Sequence, residues 1–185
     1  LEEAEPRVKN VLTLDAAIAQ QTARESADLD SFSTAFSGRL QSLARAHELL
    51  LGKVWTDVAL SALAEQVLGR DVAEGRARFG GPEVLLKARQ VLGLSMVLHE
   101  LYTNAVKYGA LSREGGMIEL DWKLAGDEIE IAWTEHGATC AAAEPASGFG
   151  QRMIAMSVKS DLEGVIERDW RADGLRAVIR FPVER

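Results

Sequence analysis

The chain has 185 residues, 47% of them hydrophobic and 26% charged, which is enough to bury one good core or two small ones. A formal net charge of −7 and a pI near 5.1, with no basic run, argue against nucleic acid as a partner. Cys140 is the single cysteine, which excludes an internal disulfide and a cysteine-rich zinc site. The apolar runs stop well short of the ~18 residues that span a bilayer, and no signal-peptide pattern opens the chain. The segment therefore reads as cytoplasmic and without membrane contact. Its start at Leu1, without a methionine, is compatible with a piece of a longer receptor.

Residues 4–27 have a helical pattern, with Val8, Leu12, Asp15, Ala19 and Thr22 alternating at four- and three-residue steps. After ESADLDS, where Asp28, Asp30 and Ser31 are all good caps, a second helix is expected over about 32–51. Its seam is Phe36, Leu40, Leu43, His47 and Leu50. Two such helices with a short connection predict a hairpin, and the apolar face left wet predicts a homodimer closing a four-helix bundle. His47, on that seam, reads as a structural histidine rather than a phosphoacceptor or metal ligand. The sharpest change in composition, near Gly52, divides the chain into a hairpin domain at 1–52 and a second domain at 53–185.

The second domain begins with the connector GKVWTDV, where Trp55 is an expected anchor and Thr56 or Asp57 an expected cap. A short helix over about 59–68, the polar stretch GRDVAEG and a brief extended segment RARFGGPE come next. A long helix follows at about 86–108. Beyond SREGG the apolar period changes to two, predicting an antiparallel pair around Ile118–Leu124 and Ile129–Trp133 joined at Gly126-Asp127. An irregular, lid-like segment at about 137–147 precedes a helix at about 149–162. Strands around 165–170 and 175–181, turned at Ala172-Asp173-Gly174, complete an α+β layer of sheet and helices.

The chemistry-bearing stretch is HELYTNAVKYGALS, residues 99–112, at the end of the long helix. On a helix, Glu100, Asn104 and Lys107 fall on one stripe roughly 60° wide. Magnesium is a hard ion that takes oxygen ligands and is often shared with nucleotide phosphates, so one carboxamide, Asn104, suffices as its protein ligand. Lys107 would offset phosphate charge, and Glu100 could accept a proton from a nucleophile or orient a water. An amphipathic helix whose Glu and Lys are merely solvated has the same spacing. Further along, Gly148-Phe149-Gly150 stands just before a helix, where glycines let backbone approach a phosphate and free N–H groups face it. Gln151 and Arg152 could add phosphate contacts, although Arg152 reads equally well as a solvated charge.

The wording of residues 99–112 resembles the N box of the GHKL ATP-binding domain shared by histidine kinases, gyrase, a heat-shock chaperone and a mismatch-repair ATPase. More narrowly it resembles the HWE family of bacterial sensor histidine kinases, whose namesake histidine and Trp-x-Glu correspond to His99 and Trp133-Thr134-Glu135. Gly148-Phe149-Gly150 is similar to the second glycine box of that family. The resemblance implies a GHKL (Bergerat-type) α/β sandwich behind the dimerising hairpin. ATP and magnesium are the implied cofactors, with Asn104 the Mg ligand and Glu100 the candidate base. The cofactor-binding set so implied is His99, Asn104, Lys107, Tyr108, Trp133, Glu135, Gly137, Gly148, Phe149, Gly150 and Arg152. In it Glu135, expected at the mouth of a pocket, accepts from the adenine amino group with Trp133 packed beneath, and His99 supports Glu100 or the helix packing.

One position departs from the family pattern. The phosphoacceptor motif of such kinases has the form His-Arg-Val-Lys-Asn, whereas here it is Pro6-Arg7-Val8-Lys9-Asn10. Proline can start a helix but has no side-chain nitrogen to phosphorylate. Three readings follow: an ATP-binding kinase core that has lost its acceptor, a kinase acting on a histidine of another protein or protomer, or a non-catalytic adapter. The expected partner in each is the receiver domain of a response regulator. Topoisomerase, chaperone and mismatch-repair ATPases need further transducer domains, for which 185 residues leave no room.

Overall fold

The computed structural model describes residues 19, 20, 22, 23, 26, 28–51, 57–138 and 149–184, with the backbone alone for 45–51 and 149. Helix α1 spans Leu29–Leu51. Asp28 caps it, Oδ1 accepting the Ser31 N–H at 2.7 Å, and that bond holds the Asp28 carboxyl below the usual carboxylate range. The expected start at Phe32 is thus one turn late. Of the first half of the expected hairpin, residues 19, 20, 22 and 23 are helical and most of the rest lies outside the described residues, as do the boundary near Gly52, Trp55, Thr56 and the His47 side chain.

The second part opens with strand β1 (Val58–Ala59), helix α2 (Leu60–Ala73), strand β2 (Ala77–Gly80) and strand β3 (Leu85–Leu86). Helix α3 is Ala88–Lys107, a 3-10 turn covers Ala110–Ser112, and strands β4 (Met117–Ala125) and β5 (Glu128–His136) make the predicted hairpin. Helix α4 (Phe149–Ser160) and strands β6 (Val165–Arg171) and β7 (Gly174–Pro182) follow. Five strands form a mixed sheet in the order β2-β4-β5-β7-β6, parallel only at β2–β4, while β1 and β3 pair apart from it.

The sheet has one dry and one wet face, as period-two alternation requires. Ile118, Leu120 and Trp122 of β4, Ile129, Ile131 and Trp133 of β5, and Leu175, Ala177, Ile179 and Phe181 of β7 form one core with the helices. Helix α3 contributes Val91, Leu94, Val97, Leu98, Leu101 and Ala105 to it, and α4 contributes Ile154 and Val158. Across the wet face runs a ladder of ion pairs, Lys123–Glu130 at 2.8 Å, Glu130–Arg180 at 2.7 Å and Arg180–Glu167 at 2.9 Å. Gly93 allows a close crossing, since a Cβ there would lie 2.5 Å from the Asp161 Cβ just beyond α4.

Helix α2 runs five residues past its expected end at Leu68. The polar letters of GRDVA conceal an inward-facing Asp71, fully buried, whose Oδ1 accepts from Arg76 at 2.6 Å and Oδ2 from the Tyr102 hydroxyl of α3 at 2.9 Å. Burial, then the Asp71 carboxylate, pushes the Tyr102 hydroxyl pKa up. Asp57, an expected cap, instead pairs with Lys87 Nζ at 2.8 Å.

Helix α1 lies against α3 and α4. Phe36 and Leu43 pack with Leu92, Met96 and Met153, and the Ser42 and Ser95 hydroxyls are 3.2 Å apart. Part of the seam expected to face another helix of a hairpin therefore faces the second part of the chain, while Leu40 remains 39% exposed. No helix among the described residues is long and apolar enough to cross a membrane.

Tyr102→Phe should destabilise the fold by about 1–3 kcal/mol, since it leaves a buried carboxylate short of a donor. Urea unfolding measures this, and Arg70→Ala, at the exposed Arg70–Glu74 pair, should leave the midpoint unchanged.

Candidate functional site

Seating the apolar flank of α3 on the sheet fixes where its polar stripe points. Glu100 is 4% exposed, Asn104 half-buried and Lys107 exposed, so the stripe runs from interior to solvent in two turns. The Glu100 carboxylate is held by Arg39 of α1, with Nε to Oε1 at 2.8 Å and Nη2 to Oε2 at 3.3 Å. Arg39 is itself 9% exposed, and its Nη1 reaches Thr22 Oγ1 at 3.4 Å. Half-buried His99 lies beside the same helix, where a Cβ on Gly38 would be 3.6 Å from its Nε2.

Gly150, second residue of α4, meets this stripe. A Cβ on it would sit 2.6 Å from Glu100 Oε2 and 3.8 Å from Asn104 Nδ2. Only glycine lets the first turn of α4 approach α3 so closely, and that turn carries N–H groups with no partner in the preceding turn. Glu100, Asn104 and Gly150, separated by about fifty residues of chain, are thus within a few ångströms of one another. At the outer end, Tyr108 is 76% exposed and Arg152 of α4 is exposed. Gly148 and Pro6 lie outside the described residues, and Phe149 is described by its backbone alone.

Glu135 is not at a mouth. Strand β5 continues to His136, so the alternation that turns Ile129, Ile131 and Trp133 inward turns Glu135 inward too, leaving it 4% exposed. Its Oε2 accepts the Ala110 N–H at 2.9 Å, and its Oε1 accepts Nε1 of fully buried Trp133 at 3.3 Å. Burial raises the Glu135 pKa and outweighs these two donors, which act the other way. Gly109 has no side chain because the Glu135 Oε2 occupies the place where a Cβ would be. Gly137 donates its N–H to Asp173 Oδ1 at 2.8 Å, while His136 Nδ1 lies 3.2 Å from Oδ2 of the same carboxylate.

Sequence reasoning missed Arg39 and the Gly109-Ala110 backbone. Arg39 sits one residue from Leu40 in a helical pattern and looks like an ordinary solvated charge. The glycine that ends α3 did offer a signal, since a turn pressed against a strand needs one. Among the described residues no group of three His, Cys, Asp or Glu side chains is arranged to hold a metal unaided. A single amide such as Asn104 fits a shared ion instead, one completed by ligand oxygens.

A mixed five-stranded sheet thus carries a helix with Glu100, Asn104 and Lys107 and a second helix that meets it at Gly150. Relatives and solved structures with this arrangement are histidine kinases. The sequence model of the HWE histidine kinase family matches residues 3–83. Blue-light-activated histidine kinases of Brucella anthropi and Brucella ovis are 34% and 31% identical over 96% of this chain. The chain spans 37% of the length of each. The histidine kinase domain of the Erythrobacter litoralis EL346 blue-light activated histidine kinase superposes with a TM-score of 0.66 at 15% identity, covering 95% of this chain and 94% of that one. The ATP binding domain of PrrB from Mycobacterium tuberculosis gives 0.52 at 18% identity, over 70% and 97% of the two chains. The chain is thus similar to the HWE histidine kinase family, in its first 83 residues by the family model and over nearly its whole length by these relatives.

A buried acid with a raised pKa stabilises the fold only while protonated. Below the ordinary Glu value of 4.5 both states hold the proton. As pH rises towards the higher folded value, the unfolded chain releases its proton first and stability falls. Glu135→Gln removes that dependence. Whatever offset the amide brings, the Tm difference between Glu135→Gln and wild type should move in favour of the variant from about pH 4 to about pH 7. A flat difference in a calorimetric series would contradict the burial assigned to Glu135.

Proposed function

We propose that the chain is the core of an HWE-type histidine kinase in a two-component system, binding Mg-ATP between α3 and the start of α4. The observation that carries this is the meeting of the Asn104 carboxamide with Gly150, a position without a side chain in the first turn of α4. Bound Mg-ATP would supply an electrophilic terminal phosphate and a counter-charge for it. Asn104 would hold the metal through its carboxamide oxygen, Lys107 and Tyr108 would close the outer end, and the backbone of Gly148, Phe149 and Gly150 would receive phosphates. Arg152, exposed in the same turn, would add charge. Glu135 would read the adenine amino group on lone pairs left after Ala110 and Trp133, since a carboxylate accepts about four hydrogen bonds. Gly137 would border that base, and His99 would keep α3 in register beneath α1.

Glu100 would act as base towards a histidine acceptor, which must come from a different protein because position 6 is proline in every copy of this chain. The hairpin at 1–52 would pair two copies and present the receiver domain of a response regulator to the catalytic part at 53–185. In the alternative, supported by the same Pro6, the chain is a pseudokinase or adapter that binds a regulator or partner kinase through the hairpin without chemistry.

Isothermal titration with Mg-ATP tests the site. Asn104→Ala should lose most of the magnesium-dependent affinity, about tenfold or more, and equal affinity in both proteins would refute the ligand assignment. Incubation with radiolabelled ATP should leave this chain without acid-labile, alkali-stable label, whereas such label would contradict the loss of the acceptor at Pro6.

A further inference from the structure

We propose that Arg39 makes the site selective for a nucleoside triphosphate, standing as a cation supplied by α1 at the terminal-phosphate end of the cleft. The inference rests on the nucleotide reading above and goes beyond it, because Arg39 lies on the helical part of the chain.

Three proximities carry it. Arg39 holds both oxygens of Glu100, at 2.8 and 3.3 Å. Glu100 Oε2 lies 2.6 Å from where a Gly150 Cβ would be, and Asn104 Nδ2 3.8 Å from the same point. A phosphate carried by Gly150 and by an ion on Asn104 therefore arrives next to the Glu100 carboxylate. Two anions at that separation, in a region shielded from water, repel strongly. The guanidinium cancels that repulsion, and its fixed fork of donors suits a carboxylate or a phosphate oxygen equally well.

The pair thus works as an exchange. With a diphosphate, Arg39 remains on Glu100. With a triphosphate, the terminal phosphate competes for the guanidinium, and Glu100 is released as the group that can take a proton. Arg39 is a positioning and specificity residue here. Because it belongs to α1, the seat of α1 and the occupancy of the terminal-phosphate position are coupled, each changing the other by the same free energy. A stress on the helical part would in this way reach the phosphate end without any change in the adenine end.

The alternative is a purely structural ion pair that fastens α1 to α3. Both predict lost stability when one partner is removed, so stability does not separate them. The ratio of affinities for Mg-ADP and for the non-hydrolysable Mg-adenylyl imidodiphosphate does, measured by titration calorimetry on the full chain. Glu100→Gln should raise the preference for the triphosphate analogue by about tenfold, a usual size for coupling between adjacent sites. Arg39→Gln should lose that preference, and Arg39→Lys, which keeps the charge, should restore part of it. ADP affinity reports that each variant is folded. Where Arg39→Gln loses ADP binding altogether, Glu100→Gln decides alone. Equal ratios in wild type and in the folded variants, with Asn104→Ala still weakening both nucleotides, would overturn the role of Arg39 and leave the nucleotide site standing. Binding of neither nucleotide by the wild type would overturn both.

Discussion

Every feature of the candidate site depends on the rotational setting of α3. Val97, Leu98, Leu101 and Ala105 are buried against the sheet, and a helix so fastened cannot turn about its axis without exposing them. That setting aims Glu100 and Asn104 at the first turn of α4 rather than at the sheet and leaves Lys107 in solvent. The apolar residues are thus as much a part of the site as the polar ones. Tyr102 holds the other flank of the helix by reaching Asp71 on α2.

The same helix is where the two parts of the chain touch. Apolar contact among Phe36, Leu43, Met96 and Met153 fastens α1 there, and the Arg39–Glu100 pair lies among these contacts. Burying an ion pair gains little net stability, since the cost of desolvation offsets the attraction, yet breaking it leaves an uncompensated charge and costs about 3–5 kcal/mol. Such a pair adds little to the adhesion of α1, which rests on the apolar contacts around it.

Much of the fold was legible. Alternation in Ile118–Leu124 and Ile129–Trp133 with Gly126-Asp127 between them gave the hairpin, and the turn at 172–174 gave the last strand pair. Local chemistry decides such elements. The parallel pairing of β2 with β4 was not legible, because α3 separates the partners and nothing in ARFG names its neighbour. The tail of α2 was hidden because Asp71 looks like a loop residue until Arg76 and Tyr102 are seen to satisfy it.

Within the site, the stripe of Glu100, Asn104 and Lys107 followed from helical geometry alone. The inward turn of Glu135 was readable by carrying the alternation two residues further, but Gly137 suggested an earlier end to the strand. Arg39 was beyond reach, since it meets Glu100 across 61 residues of sequence. The most direct test of the central claim substitutes manganese for magnesium and follows amide NMR signals as adenylyl imidodiphosphate is added. The account predicts that paramagnetic broadening begins at the Asn104 side-chain amide and the Gly150 N–H while the wet face of β4 and β5 stays sharp. Broadening centred elsewhere, with those two signals unchanged, would contradict it.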